Sequence, residues 1–275
     1  MSAEFLSGIE QEFTEALKNR EFSVWYQPQV DMRTGVVRGA EALVRWQKKN
    51  GELITPDLFV PALEKKGMMP LLDEEVLRIV CGDIRDAKQK KCRFCPVSVN
   101  LSRLHAGRKE ITGIFREITE EYGIGKGELS FEITETGEGT DDGERMPQLA
   151  RYLQGKGFRI AMDDYGMGNS TLKLLQEIRF DILKLDRFFI SRIGDPKAEV
   201  ILASTIAMAE ALGLEVIAEG VENREQIRFL LKHGCCYAQG YYYSRPLTKK
   251  RYMMRRMERA QLCAEDGAAD REETV

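Results

Sequence analysis

The sequence predicts an α/β fold, a closed β/α barrel whose first strand runs against the others, and three observations point there. Polar residues end successive apolar, strand-like runs at positions 41, 100, 132, 163, 184, 219 and 239, mostly at intervals of about 20 to 35 residues, the length of a βα unit. A β/α barrel gathers its functional side chains at such strand ends. The runs 22–30 and 36–46 are separated only by Asp31-Met-Arg-Thr-Gly35, a turn short enough to force an antiparallel hairpin. An apolar run ending in Asp163-Asp164, a glycine-punctuated loop, a helix over 171–178 and a strand ending at Lys184 and Asp186 form one βαβ crossover. An open doubly wound sheet is the competing arrangement, but no glycine-rich dinucleotide turn follows the first strand.

Taken in order, residues 4–19 alternate acidic and apolar positions at helical spacing and predict a leading helix. In the second strand Glu41, Leu43 and Arg45 share one face, and two charges on an otherwise apolar strand need either each other or a function. Thr55-Pro-Asp-Leu-Phe opens a helix with a capping threonine and a proline at its first position, ending near Gly67. A longer helix runs to about Lys91, and its basic end complements the helix dipole. Strands at 96–102 and 129–135 alternate with helices at 108–122 and 144–154. Asn169 or Ser170 can cap the helix that follows the Asp pair. Ile182, Lys184 and Asp186 face one way while Leu183 and Leu185 face the other, so a lysine looks into the same mouth as the Asp pair. A helix over 196–212, a strand over 215–222 that delivers Glu219, a helix ending at His233-Gly234 and a last helix from about Thr248 complete the pattern. Residues 1–262 are therefore expected to form one barrel domain, with 263–275 an acidic, disordered tail.

The 275 residues include 43% hydrophobic ones, enough for a substantial core. With 41 basic and 44 acidic residues the net charge is −3, which gives no general reason for binding a nucleic-acid polymer or an anionic membrane. No apolar run approaches the roughly 18 residues of a membrane span, and the N-terminus is too acidic for a secretory signal, so a cytoplasmic protein is expected. The six cysteines lack the density of a disulfide framework, and Cys92-Arg-Phe-Cys95 has no second pair at zinc-site distance. Two histidines, His105 and His233, exclude a multi-histidine metal centre, so any metal must be held by oxygen. Glu41, Glu132, Asp163, Asp164, Glu219 and Glu222 would meet at one mouth, where they cannot all stay ionised unaided. Protonation or hard divalent cations would relieve them, and the oxygen-only set with the Asn100 amide points to Mg²⁺ or Mn²⁺. Two such ions suit hydrolysis of a phosphodiester.

Tyr26-Gln-Pro, Glu41-Ala-Leu-Val-Arg-Trp46, Val99-Asn-Leu-Ser102, Glu132-Ile-Thr-Glu135, Asp163-Asp164, Asp181-x-Leu-Lys-Leu-Asp186, Ala218-Glu-Gly-Val-Glu222 and Ala238-Gln-Gly-Tyr241 together resemble the EAL-domain cyclic di-GMP phosphodiesterases. Any one of these motifs occurs by chance; eight in the family's order do not. The resemblance implies a modified TIM (β/α)8 barrel with an antiparallel first strand, a homodimer, and hydrolysis of cyclic di-GMP to linear pGpG with Mg²⁺ or Mn²⁺, two per site. It also implies that Glu41, Asn100, Glu132 and Asp163 ligate the first metal and that Asp163 and Asp164 serve the second, with Glu222 a further ligand position. Lys184 and Glu219 would position or activate the attacking water. Gln27, Leu43, Arg45, Gln239, Arg245 and Pro246 match substrate-binding positions, and Glu135 matches the residue that braces the loop after the Asp pair. That loop departs from the family's Phe-Gly-Thr-Gly, an aromatic, then Ser: here it reads Tyr165-Gly-Met-Gly-Asn-Ser170, and Met167 removes a hydroxyl. Cys236 stands where Asp is common. A catalytically silent cyclic di-GMP receptor or signalling scaffold on the same barrel is the alternative, and an unrelated metal-dependent barrel of the enolase type ranks last because it leaves the Gln27 and Arg45 matches unexplained.

Overall fold

A leading helix, α1 (Ala3–Asn19), precedes the hairpin, which is built as its short turn requires. Strands β1 (Phe22–Asp31) and β2 (Val37–Gln47) pair antiparallel, with Gln27 opposite Glu41 and Trp25 opposite Leu43. The Asp31 carboxylate closes the turn by accepting hydrogen bonds from the backbone and guanidinium of Arg33, and Gly35 adopts a φ of 70°. The computed structural model describes residues 3–92, 94–107, 111–134, 145–166 and 171–254. The expected tail 263–275, the last helix beyond residue 254, the starts of the two helices expected at Arg108 and Glu144, and the caps Asn169 and Ser170 lie outside the described residues.

A two-residue strand, β3 (Leu53–Ile54), extends β2, and helices α2 (Pro56–Lys65) and α3 (Met69–Gln89) follow. Pro56 starts α2 as the sequence predicts, although Thr55 makes no side-chain cap hydrogen bond. The chain then alternates: β4 (Val97–Asn100), α4 (Ile111–Glu121), β5 (Leu129–Thr134), α5 (Arg145–Gly155), β6 (Arg159–Tyr165), α6 (Thr171–Glu177), β7 (Ile182–Leu185), a single-turn α7 (Arg187–Ile190), α8 (Pro196–Ala211), β8 (Glu215–Ala218), α9 (Arg224–Lys232) and β9 (Tyr237–Ala238). The strands from β2 through β4 to β9 are parallel neighbours, and β9 pairs antiparallel with β1, so eight strands close into a barrel in which β1 alone is inverted. A last short strand, β10 (Leu247–Thr248), lies against the outer edge of β1.

Strands covered on both faces are expected to be apolar on both. Outward residues such as Val99, Phe131, Ile133, Met162, Leu183 and Leu185 are fully buried in the main core under the helices. Inside the barrel a separate small cluster of Ala161, Ile182 and Ile217, with Tyr237 packed against it, fills the interior. The final segment is tied down by charge and aromatic packing. Tyr26 donates to Asp83 (2.6 Å) and stacks on Tyr252 (5.4 Å between ring centroids), while Lys249 pairs with Asp83 and Asp86 at 2.7 and 2.9 Å.

The strand expected over 215–222 stops at Ala218, because Gly220 takes a φ of 67° and turns the chain. The strand expected over 96–102 ends at Asn100, after which the Ser102 N–H leaves the ladder and donates to Asp73 of α3 (2.7 Å). Among the described residues no helix is long and apolar enough to cross a membrane.

Candidate active site

The register of the parallel strands decides which side chains meet. Asn100 pairs with Glu132, Thr134 with Asp163, and Ala161 with Ile182, so the even-numbered positions of β4 and β5 face the same interior as Ala161, Asp163, Ile182 and Lys184. In three strands an apolar inward residue is followed two positions later by a charged one at the C-terminal end: Ala161 and Asp163, Ile182 and Lys184, Ile217 and Glu219.

Lys184 is the centre of the site and is 1% exposed. Its ammonium lies 2.6 Å from Glu132 Oε2, 2.7 Å from Glu219 Oε1, 2.9 Å from Asp163 Oδ1 and 3.5 Å from Glu41 Oε2. Four strands thus deliver one carboxylate each to a single cation. Burial opposes the charge on Lys184, but the carboxylates of Asp163, Glu132, Glu219 and Glu41 outweigh it and hold the amine protonated well above its usual range. Burial pushes Glu132 up to about 8, with Lys184 opposing and the charges of Glu41 and Asp163 adding to the rise. Glu219 is pushed well up for the same reason, burial first.

Asp163 and its neighbour Asp164 could not both face inward in a regular strand. The β6–β7 register shifts between Met162 and Tyr165, and Asp164 adopts a left-handed φ of 54°, so the strand bulges where the second carboxylate must turn. Asp164 is half-buried, and burial together with the Asp163 charge raises it to about 6.

Buried amides line the hairpin side. Gln239 donates to Glu41 Oε2 (2.5 Å) and to Gln27 Oε1 (3.2 Å), and Gln27 donates in turn to the Ser244 carbonyl (3.3 Å). The Arg45 guanidinium lies over the Trp25 ring, 5.4 Å from its centroid. Leu43 and Asn100 line a cavity of about 320 Å³ beneath α2 and α3. Arg245 sits over the exposed Tyr241 ring at 4.2 Å, with Pro246 half-buried beside it.

The arrangement therefore brings Glu41, Glu132, Asp163, Lys184, Glu219, Gln27 and Gln239 into direct contact. Glu222 stands apart: past the Gly220 turn, its carboxylate pairs with Arg187 at 3.2 Å on an exposed surface. Glu135 and the loop residues 167–170 lie outside the described residues. Sequence reasoning did not single out Gln29, which donates to Gln239 Oε1 (3.3 Å), or Asp73, which holds the backbone after Asn100 and lies 3.0 Å from His105 Nε2. The alternation of Trp25, Gln27 and Gln29 on one strand face was the available signal for the first.

Among the described residues no three acidic, cysteine or histidine side chains are grouped closely enough to form a metal cage, and the Lys184 ammonium lies among the carboxylates. The donor set nevertheless fits a hard divalent cation. It consists of oxygens, it outnumbers its one cation four to one, and Asp163 Oδ1 and Glu219 Oε1 are buried without a hydrogen-bond donor although each meets the ammonium as an ion pair.

The chain matches the EAL domain over residues 10–246. It is 36% identical over 240 residues to the cyclic di-GMP phosphodiesterase NbdA of Pseudomonas aeruginosa, covering 87% of this chain and 30% of that protein. It is 32% identical over 239 residues to the probable cyclic di-GMP phosphodiesterase PdeB of Escherichia coli, covering 87% of this chain and 45% of the relative. The chain thus spans less than half the length of these two relatives. The solved structure of the PaMucR phosphodiesterase in complex with cyclic di-GMP superposes with a TM-score of 0.80 at 30% identity, covering 88% of this chain and 98% of the other. The chain belongs to the EAL domain family.

Proposed function

We propose that this barrel hydrolyses cyclic di-GMP to linear pGpG with Mg²⁺ or Mn²⁺, two per site. The observation that carries the reading is the convergence of Glu41, Glu132, Asp163 and Glu219 on Lys184 at one end of the barrel. Glu41, Asn100, Glu132 and Asp163 would hold the first ion and Asp163 and Asp164 the second, with Glu222 reaching them only after releasing Arg187. Such ions, when bound, supply Lewis acidity toward a phosphoryl oxygen and acidify water.

The chain's own groups divide the remaining tasks. Lys184 is protonated and is no base; it steadies negative charge as the P–O bond to the leaving 3′ oxygen breaks. Glu219 lies against that ammonium with a raised proton affinity, which suits it to orient the attacking water and accept its proton. Arg45 offers a planar donor fork for a phosphate, while Leu43, Arg245 and Pro246 frame the mouth against the nucleotide. Gln27 and Gln239 hold Glu41 in place. Water adds its hydroxyl to phosphorus, its proton ends on the released 3′ oxygen, and the product is linear. The family resemblance also supports a cytoplasmic homodimer, which sedimentation velocity tests.

Purified protein incubated with cyclic di-GMP and Mn²⁺ is expected to yield pGpG by liquid chromatography and mass spectrometry, and Glu41→Ala to abolish it. Binding of cyclic di-GMP without any product would assign the barrel to the silent receptors instead.

A further inference from the structure

The amides beside Glu41 have a fixed polarity, and its origin lies deeper in the barrel. Gln239 turns its NH₂ to Glu41 Oε2 and to Gln27 Oε1, both acceptors. That leaves Gln239 Oε1 pointing away from the site into a buried region, where an unmet oxygen would be costly. Gln29 Nε2 meets it at 3.3 Å. Gln29 is itself buried, two inward positions below Trp25 on the inverted β1, next to the shift in the hairpin register between Gln29 and Val30. It also lines a cavity of about 200 Å³ at the opposite mouth, with Arg38, Arg159, Glu215 and Tyr237. Gly39 on β2 makes the room: a Cβ there would come 2.8 Å from Gln29 Oε1 and 3.3 Å from the Pro96 carbonyl.

We propose that Gln29 is a positioning residue for this site: its side-chain N–H locks the Gln239 amide with NH₂ toward Glu41, and so aims Glu41 at the group around Lys184. The chain of donors runs one way, from Gln29 to Gln239 to Glu41. Without the first donor the Gln239 amide keeps its donations to Glu41 and Gln27 but leaves Oε1 unmet in a buried place, which loosens that orientation; with an acceptor in its place the amide is pushed to turn over and present oxygen to a carboxylate. Gln29 touches neither substrate nor a reacting atom. Its catalytic consequence rests on the phosphodiesterase reading, while the orientation of Gln239 does not.

Three replacements separate polarity from packing: Gln29→Met removes the donor at similar size, Gln29→Glu puts oxygen against oxygen, and Gln29→Lys restores a donor. In the first two, kcat on cyclic di-GMP with saturating Mn²⁺ is expected to fall about tenfold or more, as for other residues that orient ligands from behind, with KM little changed and Gln29→Glu the lower. Gln29→Lys should recover most of the loss. In ¹⁵N-edited spectra of the wild-type and Gln29→Met proteins, without substrate or metal, the Gln239 side-chain amide resonances are expected to shift. Gly39→Ala pushes the same amide from the neighbouring strand and should move them too, which keeps the question open to test should a Gln29 variant fail to fold. Gln239 resonances unmoved in Gln29→Met and Gly39→Ala, or equal kcat across the Gln29 series, would overturn the proposal. A wild-type chain that makes no pGpG would instead sink the phosphodiesterase reading, with the spectra still deciding the role of Gln29.

Discussion

The two ends of the barrel interior differ by only two residues along each strand. On β6, β7 and β8 the lower inward positions are Ala161, Ile182 and Ile217, and the upper ones are Asp163, Lys184 and Glu219. On these three strands the lower layer is apolar and buried; the upper gathers four carboxylates around one ammonium. The first explains the behaviour of the second. The apolar side chains beneath the charges offer them no hydrogen bond, and burial leads the causes that raise Glu132 and Glu219.

The contrast can be broken most forcefully at Lys184. Lys184→Met leaves the carboxylates without their cation and is expected to cut turnover by ~10²-fold or more and to lower stability by roughly 3–5 kcal/mol. Steady-state rates and urea unfolding measure both, and a variant as active and as stable as wild type would show that the ammonium is incidental. Ile217→Ala probes the floor instead. It should cost about 2–4 kcal/mol in urea unfolding through the cavity it leaves, while kcat of the remaining folded protein holds. A large kcat loss without a stability loss would reverse the assignment of roles. The smallest effect sharpens the picture beneath the floor. Cys235, 1% exposed and bonded through Sγ to the Val216 and Tyr237 carbonyls, has its thiol pushed up to about 12 by burial. At pH 8 its thiolate fraction would be on the order of 10⁻⁴, so iodoacetamide should spare it while labelling the half-buried Cys236, as mass spectrometry of native protein can check.

Much of this was legible before any coordinates because barrel strands repeat at regular spacing and end in residues of a different class. Glu41, Glu132, Asp163, Lys184 and Glu219 could be placed on one rim from their recurrence at strand ends, and the five-residue turn after β1 required the inverted strand. Glu222 could not be placed so, because its direction depends on the left-handed turn at Gly220 and on Arg187, whose side chain packs over that glycine. The Asp163-Asp164 pair announced a site but not the bulge and left-handed backbone at its second residue. Gln29 shares a face with Trp25 and Gln27 but was passed over for a topological reason: reversing β1 sends its later residues toward the floor, away from the strand ends that a parallel pattern flags. The short α7, opened by the Asp186 side chain accepting from the Phe188 N–H, and the two-residue β10 are too brief for any periodicity to read.

The hairpin pairs Gln27 with Glu41 directly across the two strands. Because side chains alternate faces, a slip of one residue in that pairing would turn the glutamine or the glutamate toward the helices and leave the rim without it. Assembly of the barrel therefore acts as its own proofreading step. A misthreaded copy would lack the carboxylate cluster at the rim altogether, so an error in strand pairing would remove the site rather than alter it.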